Sequence, residues 1–284
     1  MNAITERKSG CPPLSEAKRI IVAGLGAMGL PMANRLYKDG FNVFGFDIVS
    51  PNDQHLPLLP QLSDLTGDDS LLVVVRDASQ VEEICFTQQA VFKAPTYPKT
   101  LIVCSTISPN AIYRLSDQLP KDVCLIDAPM SGAPYRAKNG TLTFMIGGEP
   151  LGISPFKPLF QSLGSDIHYL GELGSGMTAK VLNNYVAASS VVAVRRVLSR
   201  AHQLEMDQDQ LLQVMSSSSG ATWYGDHLDS IEWAQQSYNK DNTIGILEKD
   251  VHCLLDMDLI IDDNFDHELL AALRTLPAFP GRNP

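Results

Sequence analysis

The chain has 284 residues, 44% hydrophobic and 19% charged, with a formal net charge of −10 at pH 7. This composition is typical of a globular protein, and its acidic balance excludes an electrostatic basis for binding nucleic acid or an anionic membrane surface. No segment approaches the roughly 20 uninterrupted apolar residues of a membrane span, and the polar N-terminal segment lacks the apolar core of a signal peptide, so we expect a cytoplasmic protein.

The cysteines are scattered along the chain and never form a CxxC pair. This spacing argues against a disulfide framework and against a structural zinc site. We therefore predict no bound metal and expect most of the cysteines to be small buried hydrophobic residues. They are Cys11, Cys85, Cys104, Cys124 and Cys253.

Strands and helices alternate along the first part of the chain. Arg19–Ala23 is a compact apolar run typical of a buried strand, and Met28–Lys38 is predicted to be the helix that follows it. A second helix is predicted to begin at Ser79, which has the spacing of a capping box with Glu82, and a third lies near Asn110–Leu119. Further strands are predicted at Asn42–Phe46, Leu71–Val75, Leu101–Cys104, Val123–Ile126, Thr141–Ile146 and Ile167–Leu170. The alternation predicts an α/β fold with a mostly parallel sheet and helices on both faces.

The pattern changes after the glycine-rich stretch Gly171–Gly176. Met177–Gln203 contains no proline or glycine and predicts one long helix, and strand signals are absent after it. We therefore predict a first domain over residues 1–174, of which 1–17 form a flexible tail, and an all-helical domain over residues 175–284.

A glycine-rich turn separates the first strand from the first helix. Gly24, Gly26 and Gly29 form a GxGxxG motif in the strand–turn–helix context that makes this motif specific for dinucleotides. Gly24 permits the tight turn, Gly26 lets a pyrophosphate approach the backbone, and Gly29 allows close packing of helix on strand. The N–H groups and dipole of the helix N-terminus favour the phosphates. Leu25, Ala27 and Met28 complete the predicted cofactor loop.

Asp47 follows the second predicted strand, 21 residues after Gly26, where a carboxylate can accept hydrogen bonds from a ribose 2′-hydroxyl. A carboxylate there repels a 2′-phosphate, and no arginine follows within the next several residues. The sequence therefore predicts NAD in preference to NADP. The motif also serves FAD, but the short chain and the segments that follow favour a nicotinamide cofactor.

Four more segments complete an ordered set of motifs from about Arg19 to about Ile260. They are Ser105–Pro109, Asp127–Gly132 leading to Gly140–Thr143, Gly174–Gly176 with Lys180–Asn184, and Lys249–Asp250. In order and spacing the set resembles the β-hydroxyacid dehydrogenase family, which includes 3-hydroxyisobutyrate dehydrogenase and tartronate semialdehyde reductase. The resemblance implies an N-terminal Rossmann domain, a long interdomain helix and an all-helical domain for substrate binding and dimerisation. It also implies a homodimer or homotetramer.

The resemblance also assigns roles to individual residues. Lys180 would be the catalytic acid/base. The residues implied for the substrate are Ser131, Gly132, Ala133, Asn183 and Asn184, and those implied for the cofactor beyond the glycine turn are Asp47, Val75, Thr106 and Lys249.

The residues around Lys180 are consistent with that role. Positions three and four further along a helix share a face, so Asn183 and Asn184 can reach toward what Lys180 reaches. We expect partial burial to lower the pKa of Lys180, as a base working near neutral pH requires.

The sequence departs from the family at three places. Ala133 stands where many relatives have a second glycine, which alters the loop that shapes the substrate pocket. Val75-Arg76-Asp77 replaces a more usual apolar stretch ending in proline, and the segment after Ile260 is short. Trp223 is compatible with a pocket wall or with a helical core.

Three functions remain open at this point. The first is an NAD-dependent dehydrogenase acting on a small β-hydroxy acid such as 3-hydroxyisobutyrate, tartronate semialdehyde or a threonate-like acid. The second is a non-catalytic NAD(P)-binding module, which the presence of Lys180 disfavours. The third is an imine reductase-like relative, although a lysine proton donor fits hydroxy acids better. A true 6-phosphogluconate dehydrogenase is disfavoured because its helical domain is much larger than the one predicted here.

Overall fold

The computed structural model describes residues 18–49, 55–257 and 264–279, so the predicted flexible tail over 1–17 lies outside the described residues. The chain forms two compact units, which divide between Lys180 and Val181. In the described part of the chain, no helix has the length and apolar character needed to cross a membrane.

The first unit contains all the described strands and six complete α-helices. The strands are β1 (Ile20–Ala23), β2 (Val43–Phe46), β3 (Ser70–Val73), β4 (Thr100–Val103), β5 (Cys124–Asp127), β6 (Met130–Ser131), β7 (Leu142–Gly147) and β8 (Gly164–Gly171). The helices are α1 (Gly29–Lys38), α2 (Ala78–Cys85), α3 (Pro109–Gln118), α4 (Pro134–Asn139), α5 (Pro150–Ile153) and α6 (Lys157–Leu163). The predicted α/β fold is confirmed.

The sheet has the order β2-β1-β3-β4-β5-β7-β6, and β8 pairs with β7. Strands β1 to β5 are parallel to their neighbours. Strand β7 runs antiparallel to β5 and β6, and β8 is parallel to β7. In this order the chain changes direction across the sheet at β1, which is flanked by β2 and β3. Ligands of open α/β sheets bind at such a switch point, beyond the carboxyl ends of the strands.

Both faces of the sheet are covered by helices, as the alternation predicted. Ile20 and Val22 of β1 face a core cluster that includes residues of α1 and α6, whereas Ile21 and Ala23 face a second cluster that includes residues of α2 and α3. Successive residues of a strand point to opposite faces, so an uninterrupted apolar strand indicates burial on both sides. Cys85, Cys104 and Cys124 are buried, as expected for small core residues.

The predicted start of α2 is wrong. The helix begins at Ala78, and its N-cap is Asp77, whose side chain accepts a hydrogen bond from the backbone N–H of Gln80. The hydroxyl of Ser79 donates to Asp77 at 2.8 Å instead of capping the helix. A carboxylate two residues earlier therefore takes the place that the Ser79–Glu82 spacing suggested.

The remaining regular elements are helical, as predicted. Helix α7 (Ser175–Gln203) passes from the first unit into the second, which also contains α8 (Gln208–Ser216), α9 (Trp223–Asp226), α10 (Thr243–Leu255) and α11 (Asn264–Arg274). A separate core cluster in this unit includes residues of α7, α10 and α11. Trp223 is 59% exposed and stacks on His227, so its interpretation as a core residue is wrong.

Candidate active site

The three glycines of the turn after β1 differ in what surrounds them. A Cβ atom on Gly24, which has φ +97°, would lie 2.3 Å from the carbonyl oxygen of Val74, and one on Gly29 would lie 1.8 Å from the carbonyl oxygen of Gly24. A Cβ on Gly26 would have no atom within 4 Å. The protein's own packing therefore requires Gly24 and Gly29, whereas the space above Gly26 is left open for a ligand. This open space fits the close approach of a pyrophosphate.

Asp47 stands beside this turn, directly after β2. Its Oδ2 accepts a hydrogen bond of 2.6 Å from the backbone N–H of Leu25, and its Oδ1 accepts one of 3.0 Å from the N–H of Val49. A carboxylate has about four lone-pair positions, so two remain for hydroxyl donors. Asp47 thus fixes the glycine turn and can still accept hydrogen bonds from a ribose.

A cavity of about 250 Å³ lies at the carboxyl ends of β1, β2 and β3. The predicted cofactor residues that line it are Gly24, Gly26, Asp47 and Val75. The other predicted cofactor residues of this unit do not line it; they are Leu25, Ala27, Met28, Gly29 and Thr106. Six other residues that line the cavity, between positions 76 and 89, were not among the predicted site residues. They are Arg76, Gln80, Glu83, Ile84, Gln88 and Gln89.

Ser105 connects the ends of β3 and β4. Its buried hydroxyl accepts a hydrogen bond of 2.7 Å from the backbone N–H of Val75, 30 residues earlier in the chain. The neighbouring Thr106 was predicted to contact the cofactor, whereas Ser105 was given no role, because the partner of its hydroxyl follows a different strand, β3. Ser105 therefore shapes the cavity by holding Val75, one of the residues that line it.

Asp127, at the end of β5, holds the start of α7. Its fully buried side chain accepts hydrogen bonds of 2.8 Å from the backbone N–H groups of Gly174 and Met177. A carboxylate at a helix N-terminus satisfies N–H groups that have no partner within the helix. Lys180 lies three residues beyond Met177 and is 7% exposed. Asp127, quoted in a motif but given no role from the sequence, thus fixes the helical turns that carry Lys180.

Burial raises the pKa of Asp127 to about 6, although hydrogen bonds from Gly174 and Met177 act in the opposite direction. An unfolded aspartate has a pKa of about 3.9. The folded protein therefore binds more protons than the unfolded chain between these values, and the contribution of Asp127 to stability falls as the pH rises from about 4 to about 6. The difference between the two pKa values corresponds to about 3 kcal/mol.

We expect this dependence to disappear in Asp127→Asn. The free energy of unfolding of the wild type minus that of the variant should decrease by about 2 kcal/mol between pH 4 and 6 and stay nearly constant from pH 7 to 8. Urea denaturation of both proteins across this range measures the difference. A difference that grows as the pH rises would show that the helix N-terminus keeps this carboxylate ionised.

The predicted carboxylate-binding segment lies beside β7. Ser131, predicted to contact the substrate, lies in the short strand β6, where it pairs with Thr143 of β7. Gly132 follows in the left-handed region with φ +139°, and Ala133 is the N-cap residue of α4. Ala128 and Pro129 separate β6 from β5, and both strands run antiparallel to β7.

In the second unit, two predicted substrate residues and the predicted cofactor lysine belong to one polar network. The side-chain amide of Asn184 donates to Oδ2 of Asp250 at 2.5 Å, and that of Asn183 donates to Asn184 at 3.0 Å. The Lys249 ammonium lies 2.7 Å from Oδ1 of Asp250, an ion-pair distance at an angle that does not form a hydrogen bond. Asp250, which is 2% exposed and was quoted in a motif but given no role from the sequence, therefore joins these residues.

Two protein-family models together match nearly the whole described chain. The NAD-binding domain of 6-phosphogluconate dehydrogenase matches residues 19–171, more than half of the chain, and the NAD-binding domain of NADP-dependent 3-hydroxyisobutyrate dehydrogenase matches residues 174–274. The chain belongs to the β-hydroxyacid dehydrogenase family.

Named relatives of this β-hydroxyacid dehydrogenase are oxidoreductases. The chain is 31% identical over 242 residues to 2-hydroxy-3-oxopropionate reductase of Escherichia coli, with 82% of this chain and 81% of that protein covered. It is 30% identical over 213 residues to NAD-dependent L-serine dehydrogenase of Pseudomonas aeruginosa, with 72% of each chain covered. Like them, this family member is an NAD(P)-dependent dehydrogenase that acts on CH–OH groups.

The fold agrees with solved structures. The crystal structure of 3-hydroxyisobutyrate dehydrogenase from Salmonella typhimurium is similar with a TM-score of 0.76 at 20% identity, with 90% of this chain and 92% of that chain covered. The predicted fold class, a Rossmann domain followed by a helical domain, is confirmed.

Proposed function

We propose that this β-hydroxyacid dehydrogenase oxidises the hydroxyl group of a small β-hydroxy acid with NAD, and that Lys180 is its acid/base. The observation that carries the proposal is Lys180 itself, a lysine that is only 7% exposed and lies in the second turn of α7. The start of that helix is fixed by the carboxylate of Asp127. A positioned side chain of this kind can transfer a proton within the transition state.

The proton and the hydride leave the substrate from neighbouring atoms. During oxidation, the neutral amine of Lys180 takes the hydroxyl proton as the hydride leaves the carbon that bears the hydroxyl. When bound, NAD would supply the hydride acceptor, its nicotinamide ring. In the reverse direction the Lys180 ammonium returns the proton to the forming alkoxide. The same nitrogen therefore serves both directions, with opposite protonation states at the start.

The substrates named for the relatives limit the chemical class. L-serine, 2-hydroxy-3-oxopropionate and 3-hydroxyisobutyrate all have a carboxylate and an oxygen on the third carbon. They differ in the substituent on the second carbon, which is an amine, a hydroxyl or a methyl group. We propose the same class for this chain, with Ser131 and Gly132 holding the carboxylate and Asn183 and Asn184 orienting the substrate. Ala133, in the loop after Gly132, then influences which substituent is accepted.

The preference for NAD rests on Asp47. Its carboxylate is held by two backbone N–H groups, so it cannot turn away from a 2′-phosphate without giving up both hydrogen bonds. The negative charges of this carboxylate and of a 2′-phosphate would repel each other, which disfavours the binding of NADP. We further propose that Thr106 and Lys249 contact the cofactor.

A substrate panel with both cofactors tests the proposal. The purified protein is mixed with NAD or NADP and with 3-hydroxyisobutyrate, L-serine, D-glycerate or threonate, and the absorbance of the reduced cofactor is followed; tartronate semialdehyde is tested in the reverse direction. We expect turnover of at least one acid and a higher kcat/KM with NAD. Ethanol and lactate serve as controls, because neither has a hydroxyl on the carbon next to the one that bears a carboxylate. A higher kcat/KM with NADP, or turnover of the controls alone, contradicts the proposal.

A further inference from the structure

The cavity at the carboxyl ends of β1 to β3 contains more polar groups than a ribose requires. One side is formed by the glycine turn and Asp47, with the apolar Ile48 next to it. The other side comes from Arg76, from α2 and from the residues that follow α2, and its polar members are Arg76, Gln80, Glu83, Gln88 and Gln89. The volume of about 250 Å³ is below the range of about 300–1,000 Å³ typical of pockets that hold a whole drug-sized ligand. The cavity therefore suits one portion of a dinucleotide.

The order of groups along the cofactor indicates which portion this is. If the pyrophosphate lies over Gly26 and the ribose reaches Asp47, the next group outward is the adenine base. Ile48, 76% exposed, and Ile84 supply apolar surface in the same cavity. Apolar side chains suit the flat faces of a purine, and polar side chains suit its edge.

Glu83 is the acidic side chain on the α2 side of this cavity. It is partly buried, and within the described ranges its carboxylate makes no hydrogen bond or ion pair with another side chain. The neighbouring Gln80 differs, because its side-chain oxygen already accepts a hydrogen bond from the backbone N–H of Arg76. A carboxylate is only an acceptor, so it selects a ligand edge that donates.

Adenine presents such an edge. Its exocyclic N6 amine donates hydrogen bonds, whereas guanine and hypoxanthine have a carbonyl oxygen at the same position, which accepts them. We propose that Glu83 accepts a hydrogen bond from the N6 amine of the cofactor's adenine and thereby makes the cofactor site specific for 6-aminopurines. The inference rests on the cofactor placement in the proposed function and adds a specificity-determining residue to it.

The test compares two nucleotides that differ at this position. ADP and inosine diphosphate have the same ribose and phosphates, but the first has an amine and the second a carbonyl oxygen at carbon 6. Titration calorimetry measures their binding to the wild type, to Glu83→Gln and to Glu82→Gln. Glu82 is adjacent in α2 but does not line this cavity, so its variant makes the same charge change at a matched position.

We expect the wild type to bind ADP roughly tenfold more tightly than inosine diphosphate, as the loss of one hydrogen bond to a charged group would cause. In Glu83→Gln the two affinities should converge, because an amide can either accept from the amine or donate to the carbonyl. Glu82→Gln should keep the wild-type ratio. The inference is overturned if the wild type binds both nucleotides equally, or if Glu83→Gln retains the wild-type ratio.

Binding of adenosine 2′,5′-bisphosphate tests a different role for Glu83, the repulsion of a 2′-phosphate. If Glu83→Gln improved binding of this compound while leaving the ratio of ADP to inosine diphosphate unchanged, Glu83 would act only by repelling a 2′-phosphate, and the inference would be wrong. These titrations contain no hydroxy acid, so their outcome is independent of the substrate panel. If neither ADP nor inosine diphosphate binds, the inference is overturned. The proposed function is decided separately, by turnover in the substrate panel.

Discussion

Replacing Lys180 by alanine is expected to lower kcat for the hydroxy acid by about 10²–10⁴-fold, the range found when a positioned general acid or base is removed. The effect falls on kcat because the proton is transferred in the transition state, whereas binding of the reduced cofactor should change little. Steady-state kinetics give kcat, and fluorescence titration with NADH gives the affinity of the cofactor.

Two additional measurements separate chemistry from packing at this buried position. Lys180→Met keeps most of the apolar stem and removes only the amine, so it should be as inactive as the alanine variant while unfolding at the same urea concentration as the wild type. Methylamine added to Lys180→Ala should restore part of the turnover, which no structural role explains. Lys121→Ala, at an exposed lysine, is the matched control and should remain fully active. A folded Lys180→Ala enzyme that keeps more than about a tenth of the wild-type turnover would show that Lys180 is not the acid/base.

The glycines of the turn should respond in opposite ways to alanine. In Gly26→Ala the new methyl group meets no protein atom within 4 Å, so the free energy of unfolding should stay close to that of the wild type. That methyl occupies the space proposed for the pyrophosphate, and a steric cost of about 1–3 kcal/mol weakens NADH binding by about 5- to 150-fold. In Gly29→Ala the methyl carbon would lie 1.8 Å from a backbone oxygen, so the protein itself should lose about 3 kcal/mol of stability or more.

Urea denaturation and NADH titration of both variants measure the two effects. Gly67→Ala is the control for the substitution itself, because its methyl group would make ordinary contacts with the side chain of Lys99, the nearest atom at 3.7 Å. Its stability and its NADH affinity should match those of the wild type. Unchanged NADH binding by Gly26→Ala would place the pyrophosphate away from this turn.

Local pattern explains how much of the fold was predictable. The sequence predicted β1 to β5 from their apolar runs and the long helix from its lack of proline and glycine. These elements were predictable because period and composition are properties of neighbouring residues. The GxGxxG turn was predictable for the same reason, since strand, glycines and helix are contiguous. The start of α2 was not, because Asp77 and Ser79 are both acceptable cap residues and only the folded backbone determines which side chain reaches the free N–H groups.

The sequence by itself determined the class of fold, the glycine turn, the identity of Asp47 and Lys180 as candidate site residues, and membership of a family through the order of its motifs. Only the tertiary structure decided that β7 runs antiparallel, that Ser105 holds Val75, that Asp127 holds the start of α7, and that Glu83 shares a cavity with Asp47. The physical reason is distance along the chain. Asp127 and Met177 are 50 residues apart, and such partners meet only when sheet order and helix packing bring them together.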